Sequence, residues 1–201
     1  MITWEEAEQD AAYSQFVEEV AQQAVDEHAE EQLRKFYLGN RSLAQPGRSF
    51  LAEGDRVVSA SPTSAVLLYT TAIEVGIKKA ILEPVICGVV HSEPLASLIS
   101  EAVIRQAGID RYKDLLNVLF SEYLGTEFHT LRLGGRVSTM WDDVMQTQKA
   151  RNRVAHRAEL ATPEEAQLAG RLAKAVNFRL VESMANRCGL RIDPDGLIAG
   201  A

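Results

Sequence analysis

One stretch of the sequence, residues 62–83, is apolar on nearly every face of a helix. Ser61-Pro62 predicts its start, because proline is favoured at the first helical position, and Pro84 predicts its end. A helix that is apolar all round must be buried on all sides, so this segment is expected at the centre of the fold. Its apolar positions are Val66, Leu67, Leu68, Ile73, Val75, Ile77, Ile81 and Leu82.

Start and stop signals predict further helices around this one. The strongest is Thr162-Pro163-Glu164-Glu165, with threonine as N-cap, proline at N1 and glutamate at N3 of a helix that ends near Gly189. Similar signals predict helices over 3–37, 94–108, 110–124 and 138–158, the last two capped by Asp110 and Ser138. No alternating segment is long enough for a sheet. The sequence therefore predicts an all-α, up-and-down helical bundle of four long helices plus one or two short ones.

The chain divides into four expected parts. They are an N-terminal helix (1–38), a connecting loop (39–61) with a short extended piece at Arg56–Ser59, a helical bundle domain (62–188) and a frayed C-terminal tail (189–201). The loop is expected because its segment contains three glycines and a proline and no sustained period.

The net charge of −7 is unevenly distributed. Residues 1–32 contain no lysine or arginine, so they carry −10, and residues 33–201 carry +3. A basic body behind an acidic helix is compatible with an RNA partner, although the pI alone argues against one. The acidic helix either covers a basic groove or is a solvated face, and the second interpretation is favoured. The acids of residues 1–32 are Glu5, Glu6, Glu8, Asp10, Glu18, Glu19, Asp26, Glu27, Glu30 and Glu31.

Metal, membrane and export signals are not found. Cys87 and Cys188 form no C-x-x-C pair, and the four histidines have no metal-ligand spacing. Charged residues interrupt the longest apolar stretch, so no membrane span is expected. The N-terminus has no signal-peptide pattern. These observations predict a reduced, cytoplasmic protein with no metal and no cofactor.

The helix expected over 138–158 departs from a normal core pattern. Its inward stripe begins with Trp141, Val144 and Met145 but continues with Gln148, Asn152 and His156. Polar groups on such a stripe must find partners or line a cleft. The cations around His156 are Lys149, Arg151, Arg153 and Arg157, with no acid among them. They either form a site around a histidine suited to proton transfer, or they stabilise a helix end that emerges into solvent.

Arg151-Asn152-Arg153-Val154-Ala155-His156 resembles the R-x(4)-H signature of HEPN domains, including the polar residue that follows the arginine. Residues 69–74 (YTTAIE) are similar to an early bundle helix of that family, and the resemblance covers about residues 62–186. It implies an HEPN-like bundle. Many HEPN proteins are metal-independent endoribonucleases, that is, hydrolases of toxin–antitoxin, phage-defence or RNA-processing systems.

The resemblance implies that Arg151 and His156 are catalytic and that RNA is the substrate. Asn152 would support them, with Gln148, Lys149, Arg153 and Arg157 as further binding residues. Glu74 is four residues before Lys78, so it is expected to pair with that lysine or to orient the motif arginine. The position two residues after His156, where a subset of the family carries a modified tyrosine, is Ala158. That mode of regulation is therefore not expected.

The spacing of the two catalytic residues adds a prediction about assembly. Five residues separate Arg151 from His156, so they point about 140° apart and lie ~7.5 Å apart along the axis. A two-fold homodimer that apposes two such helices would gather both side chains in one cleft. The resemblance implies the same arrangement, because HEPN ribonucleases typically form such dimers. An antitoxin or regulatory protein is a further implied partner.

Two other interpretations stay open. The first is a non-catalytic HEPN-like bundle that binds RNA, a nucleotide or a protein partner, which the net acidity favours. The second is a helical oligomerisation module whose cations only stabilise a helix end.

Overall fold

The computed structural model describes residues 30–90, 93–99, 101 and 108–201, and within them the protein is an all-α helical bundle, as predicted. The helices are α1 (30–39), α2 (Gln45–Val57), α3 (Pro62–Ile77), α4 (Glu83–Val89), α5 (Glu93–Ile99), α6 (Lys113–Leu124), α7 (Met140–Arg157), α8 (Pro163–Ala175) and α9 (Val181–Arg187). Two π-helical turns, Lys78–Leu82 and Val176–Leu180, join α3 to α4 and α8 to α9. Short 3₁₀ turns occur at Ile109–Tyr112 and Phe128–Thr130.

Helix α3 is the central element, as its apolar sequence predicts. It packs against α2, α7 and α8, and eight of its sixteen residues are buried. The expected end at Pro84 is wrong, because the helix continues through the first π turn into α4. Because proline has no N–H, Pro84 cannot donate the α-helical hydrogen bond to the carbonyl of Ala80. The Tyr37 hydroxyl donates to that oxygen instead, at 2.8 Å, so the interruption is satisfied within the core.

The connecting loop expected over 39–61 is wrong, because most of it is helix α2. Glycines caused the error: Gly47 and Gly54 normally indicate loops, but here they permit close helix packing. A Cβ atom on Gly47 would meet the Asn177 side chain at 2.1 Å, and one on Gly54 would meet the Tyr69 ring at 2.5 Å. Both positions therefore need glycine so that α2 can lie against α3 and the π turn that follows α8.

The capping signal at Thr162 is confirmed. Its side chain accepts from the backbone N–H of Glu165, and the Glu165 carboxylate accepts from the backbone N–H of Thr162. The helices predicted over 110–124 and 138–158 begin slightly later than predicted. Asp110 lies in a 3₁₀ turn before α6, and Thr139 rather than Ser138 caps α7.

The C-terminal segment is not a frayed tail. Leu190–Ile192 (β1) and Ile198–Gly200 (β2) form a two-stranded antiparallel sheet, and Leu190 and Ile198 are buried. The buried Arg48 guanidinium of α2 holds this hairpin, since it donates to the Asp193 carbonyl and to Glu182 Oε1. The free-energy cost of burying the Arg48 guanidinium is offset by these hydrogen bonds and by the Phe178 ring. The ring centroid lies 4.6 Å from the guanidinium carbon.

Two expectations lie partly outside the described residues. The acidic N-terminal helix is described only from residue 30, and the helix over 94–108 only in α5. In the described part of α1, Leu33 and Tyr37 belong to the core. Among the described helices, none is both long enough and apolar enough to span a bilayer.

Candidate functional site

Helix α7 is anchored at its amino end by buried and capped polar groups. The Asp143 carboxylate is fully buried and accepts from Arg136 Nε at 2.9 Å and from the Ser138 hydroxyl at 2.8 Å. Asp142 completes a capping box with Thr139. Hydrogen bonds from the Thr139 hydroxyl and backbone N–H hold the pKa of Asp142 below its ordinary value of 3.8.

In the middle of α7, several of the sequence-predicted site residues line one cleft. This cleft has a volume of about 520 Å³ and lies between α3, α7 and the turn before α6. Glu74, Gln148, Lys149, Arg151 and Asn152 line it, and all five were predicted from the sequence. The size is within the range of ~300–1,000 Å³ that is usual for small-ligand sites.

The motif arginine and asparagine contact each other at this cleft. Arg151 Nη1 donates to Asn152 Oδ1 at 3.1 Å. Within the described part of the chain, no carboxylate pairs with Arg151, Lys149 or Arg157. Arg151 is half-buried, which fixes the stem of the side chain while its charge stays available to an anion.

A cross-helix hydrogen bond closes the floor of the cleft. Gln148 is 9% exposed, and its Nε2 donates to Glu74 Oε1 at 2.8 Å. Glu74 therefore acts on the stripe of α7 through Gln148, in addition to lying at the same cleft as Arg151. The polar residue that departs from the core pattern is satisfied across the α3–α7 interface.

Not all predicted site residues meet in the cleft. His156 and Arg157 are exposed in the last turn of α7 and are not among the residues that line it. His156 is four residues after Asn152 and so lies on the same side of the helix, one turn further on. Arg153 is engaged differently, because it pairs with Glu165 of α8 and lies 3.8 Å from Glu159 Oε2. That contact ties the end of α7 to the start of α8.

Five further residues of the cleft lining were not assigned to the site from the sequence. They are Lys78, Gly108, Ile109, Asp110 and Met145. Asp110 was assigned only to a helix cap, and Met145 only to the apolar part of the stripe. No local signal brings residue 110 to residue 151, because this proximity depends on how α6 packs.

A second cavity, of about 310 Å³, lies between α2, α3 and α8. Its acid, Asp55, accepts from the Tyr69 hydroxyl at 2.8 Å and pairs with Lys174 at 3.1 Å. This carboxylate is already satisfied by residues of the protein itself. We therefore assign the candidate site to the first cleft.

Metal chemistry has no obvious ligand set in the described residues. No group of three or more His, Cys, Asp or Glu residues there could hold a metal ion. Burial raises the pKa of the Cys188 thiol to about 11. A thiol held in its neutral form is a poor metal ligand or nucleophile.

No protein-family model, no curated protein and no solved structure matches the chain. What the site can do is therefore inferred from the chemistry of its own residues.

Proposed function

We propose that this protein is a metal-independent endoribonuclease of the HEPN type. The observation that carries the proposal is the pairing of Arg151 with Asn152 at the edge of a polar cleft, with Lys149 beside them and His156 one turn away. Arg151, Asn152 and His156 belong to the R-x(4)-H pattern, and Lys149 precedes it. In the described part of the chain, no acid neutralises the guanidinium.

The chemistry needs only these groups and the RNA. His156 removes the proton from a 2′-OH, whose oxygen attacks the adjacent phosphorus. The bond between phosphorus and the 5′-oxygen breaks, and the 5′-oxygen receives a proton from the imidazolium that His156 has become. The products are a 2′,3′-cyclic phosphate and a 5′-OH end. Arg151 stabilises the charge that develops on the phosphorane oxygens, and Asn152 holds its guanidinium in place.

The proposal includes a homodimer with a shared site. Arg151 lines the cleft, whereas His156 points about 140° away around the helix and is exposed. A two-fold axis next to the end of α7 would bring His156 of the partner subunit to the phosphate held by Arg151. One chain alone does not easily present both groups to a single phosphate.

Cleavage in the presence of EDTA tests the activity. Purified protein should cut mixed RNA and leave 2′,3′-cyclic phosphate ends, while His156→Ala and Arg151→Ala should each lose about 100-fold or more. Matched controls are His129→Ala and Arg132→Ala, which remove an exposed histidine and an exposed arginine outside the cleft. Wild-type protein that leaves RNA intact under these conditions contradicts the proposal.

Mixing the two inactive variants tests the shared site. In a heterodimer of Arg151→Ala and His156→Ala, one of the two composite sites keeps both groups. Random mixing should therefore restore roughly a quarter of the wild-type activity. No recovery would contradict a site built from two subunits.

A role as a toxin or phage-defence component follows from the same proposal, with an antitoxin or regulatory protein as partner. Induced expression in growing bacteria should slow growth with wild-type protein and not with His156→Ala. Equal growth of both strains would contradict this role.

The second candidate function is a non-catalytic bundle that binds RNA, a nucleotide or a protein. The observation that favours it is the presence of two acids, Glu74 and Asp110, in the same cleft as the cations. Binding of RNA with no cleavage by any preparation would select this alternative.

A further inference from the structure

The lining of the cleft contains hydrogen-bond acceptors as well as cations. Gln148 Nε2 donates to Glu74 Oε1, so the amide nitrogen of Gln148 faces this carboxylate. This fixes the amide orientation and leaves the carbonyl oxygen of Gln148 as an acceptor. Glu74 keeps its second oxygen, and Asp110 adds another carboxylate to the lining.

Carboxylates in a cleft that binds RNA require groups of the RNA that compensate their negative charge. A carboxylate next to a phosphate costs free energy through like-charge repulsion. The groups of RNA that can compensate a carboxylate are the N–H donors on base edges, which unstacked single-stranded RNA exposes. Glu74, Gln148 and Asp110 are therefore suited to contact a base, and Lys149 and Arg151 to contact the phosphate.

The bases differ in how well their hydrogen-bond donors match these acceptors. Guanine carries two adjacent donors, N1–H and the 2-amino group, which pair with two neighbouring acceptors. Adenine and cytosine offer one amino group next to a ring acceptor, and uracil offers one N–H between two carbonyls. Lys78 also lines the cleft, and its three donors allow it to contact guanine O6 while it keeps other contacts.

We propose that Glu74, oriented by Gln148, reads the Watson–Crick edge of a guanine whose phosphate is bound by Lys149 and Arg151. Glu74 is then a specificity-determining residue and Gln148 a positioning residue. This proposal rests on the proposed ribonuclease function, because it takes single-stranded RNA as the substrate.

The test separates the base preference from the cleavage. A set of short single-stranded RNAs that are identical except for one position (guanine, inosine, adenine, cytosine or uracil) is bound to the His156→Ala protein, and affinity is read by fluorescence anisotropy. Inosine lacks only the 2-amino group. Its substitution should weaken binding about tenfold, since a hydrogen bond to a charged group is lost.

A protein variant gives the second measurement. Glu74→Gln, made in the same His156→Ala background, should bring the guanine-to-inosine affinity ratio close to one. The matched control Glu122→Gln, at an exposed acid of α6, should keep the tenfold ratio. A merely structural role for Glu74 would weaken binding of all five RNAs together.

The outcomes distinguish this inference from the function on which it rests. Equal affinity for the five RNAs, together with cleavage by the wild-type protein, overturns guanine reading and leaves the ribonuclease intact. Guanine-dependent binding that Glu74→Gln abolishes, without cleavage by the wild-type protein, supports guanine reading and overturns the ribonuclease. Absence of both binding preference and cleavage overturns the two proposals together.

Discussion

In the first turn of α7 the polar side chains bind other parts of the protein, whereas in its last three turns most of them face a cleft or solvent. Asp143 is fully buried and paired with Arg136, while Lys149 and Arg157 are exposed and have no ion-pair partner among the described residues. Acids at the amino end and cations at the carboxyl end are both favourable in the field of the helix dipole. The dipole therefore favours Arg157 in the last turn without a partner acid, and Lys149, earlier in the helix, is exposed and available to an anionic ligand.

Arg153 is the exception that supports this comparison. It lies among the cations but pairs with Glu165 of α8, so one basic residue of the cluster contributes to the fold and its neighbours do not. The difference between the two ends of α7 gives measurable consequences.

The largest expected effect is at the buried amino end. Arg136→Ala leaves the Asp143 carboxylate buried without its cation, so the free energy of unfolding should fall by about 3–5 kcal/mol. Chemical denaturation measures it. Arg132→Ala, at an exposed arginine of the same loop, should change stability by less than ~0.5 kcal/mol. Equal stabilities for the two variants would mean that the amino end of α7 is not anchored by this pair.

A smaller effect is expected where α7 ends. Ala158 has a φ of 53°, a left-handed conformation that is unfavourable for residues with a Cβ atom. Ala158→Gly should raise the free energy of unfolding by about 1 kcal/mol. Ala155→Gly, in the exposed helix interior three residues earlier, should lower it by about 1 kcal/mol. The same sign of change in both variants would contradict this account of the helix end.

The smallest effect is in the pH dependence of stability. Hydrogen bonds from Thr139 hold the pKa of Asp142 below its ordinary value, so their contribution is present above pH ~4 and is lost as the pH falls through the lowered pKa. Thr139→Ala should flatten this acid limb of the stability curve. Thr130→Ala removes a hydroxyl that bonds only to a backbone carbonyl, so the limb should keep its slope. Parallel acid limbs for wild type and Thr139→Ala would disprove the contribution.

Local patterns predicted the elements whose signals are local. The capping box of Thr162 is contained in a few neighbouring residues, and the start of α8 and the end of α6 lie where expected. The stripe of α7 likewise brought Gln148 and Asn152 to one cleft, because helical periodicity alone sets their relative directions.

The errors arose where a distant contact decides the local structure. Gly47 and Gly54 gave loop signals, and only the neighbouring Asn177 and Tyr69 show why glycine is needed inside a helix. Pro84 should end a helix, but Tyr37, from another part of the chain, satisfies the freed carbonyl of Ala80. In the site, Asp110 was missed for the same reason, since its position in the cleft depends on tertiary packing.

Two variants of α7, measured for both stability and RNA cleavage, test the division of this helix most directly. Thr139→Ala should lose about 1 kcal/mol of unfolding free energy through the lost cap and should cleave RNA like the wild type at a temperature where it is folded. His156→Ala should change stability by less than ~0.5 kcal/mol and should lose cleavage about 100-fold or more. On this account, the amino end of α7 stabilises the fold and its carboxyl end serves cleavage. Cleavage at the wild-type rate by His156→Ala would contradict it. Activity that falls in both variants in proportion to their loss of stability would contradict it as well.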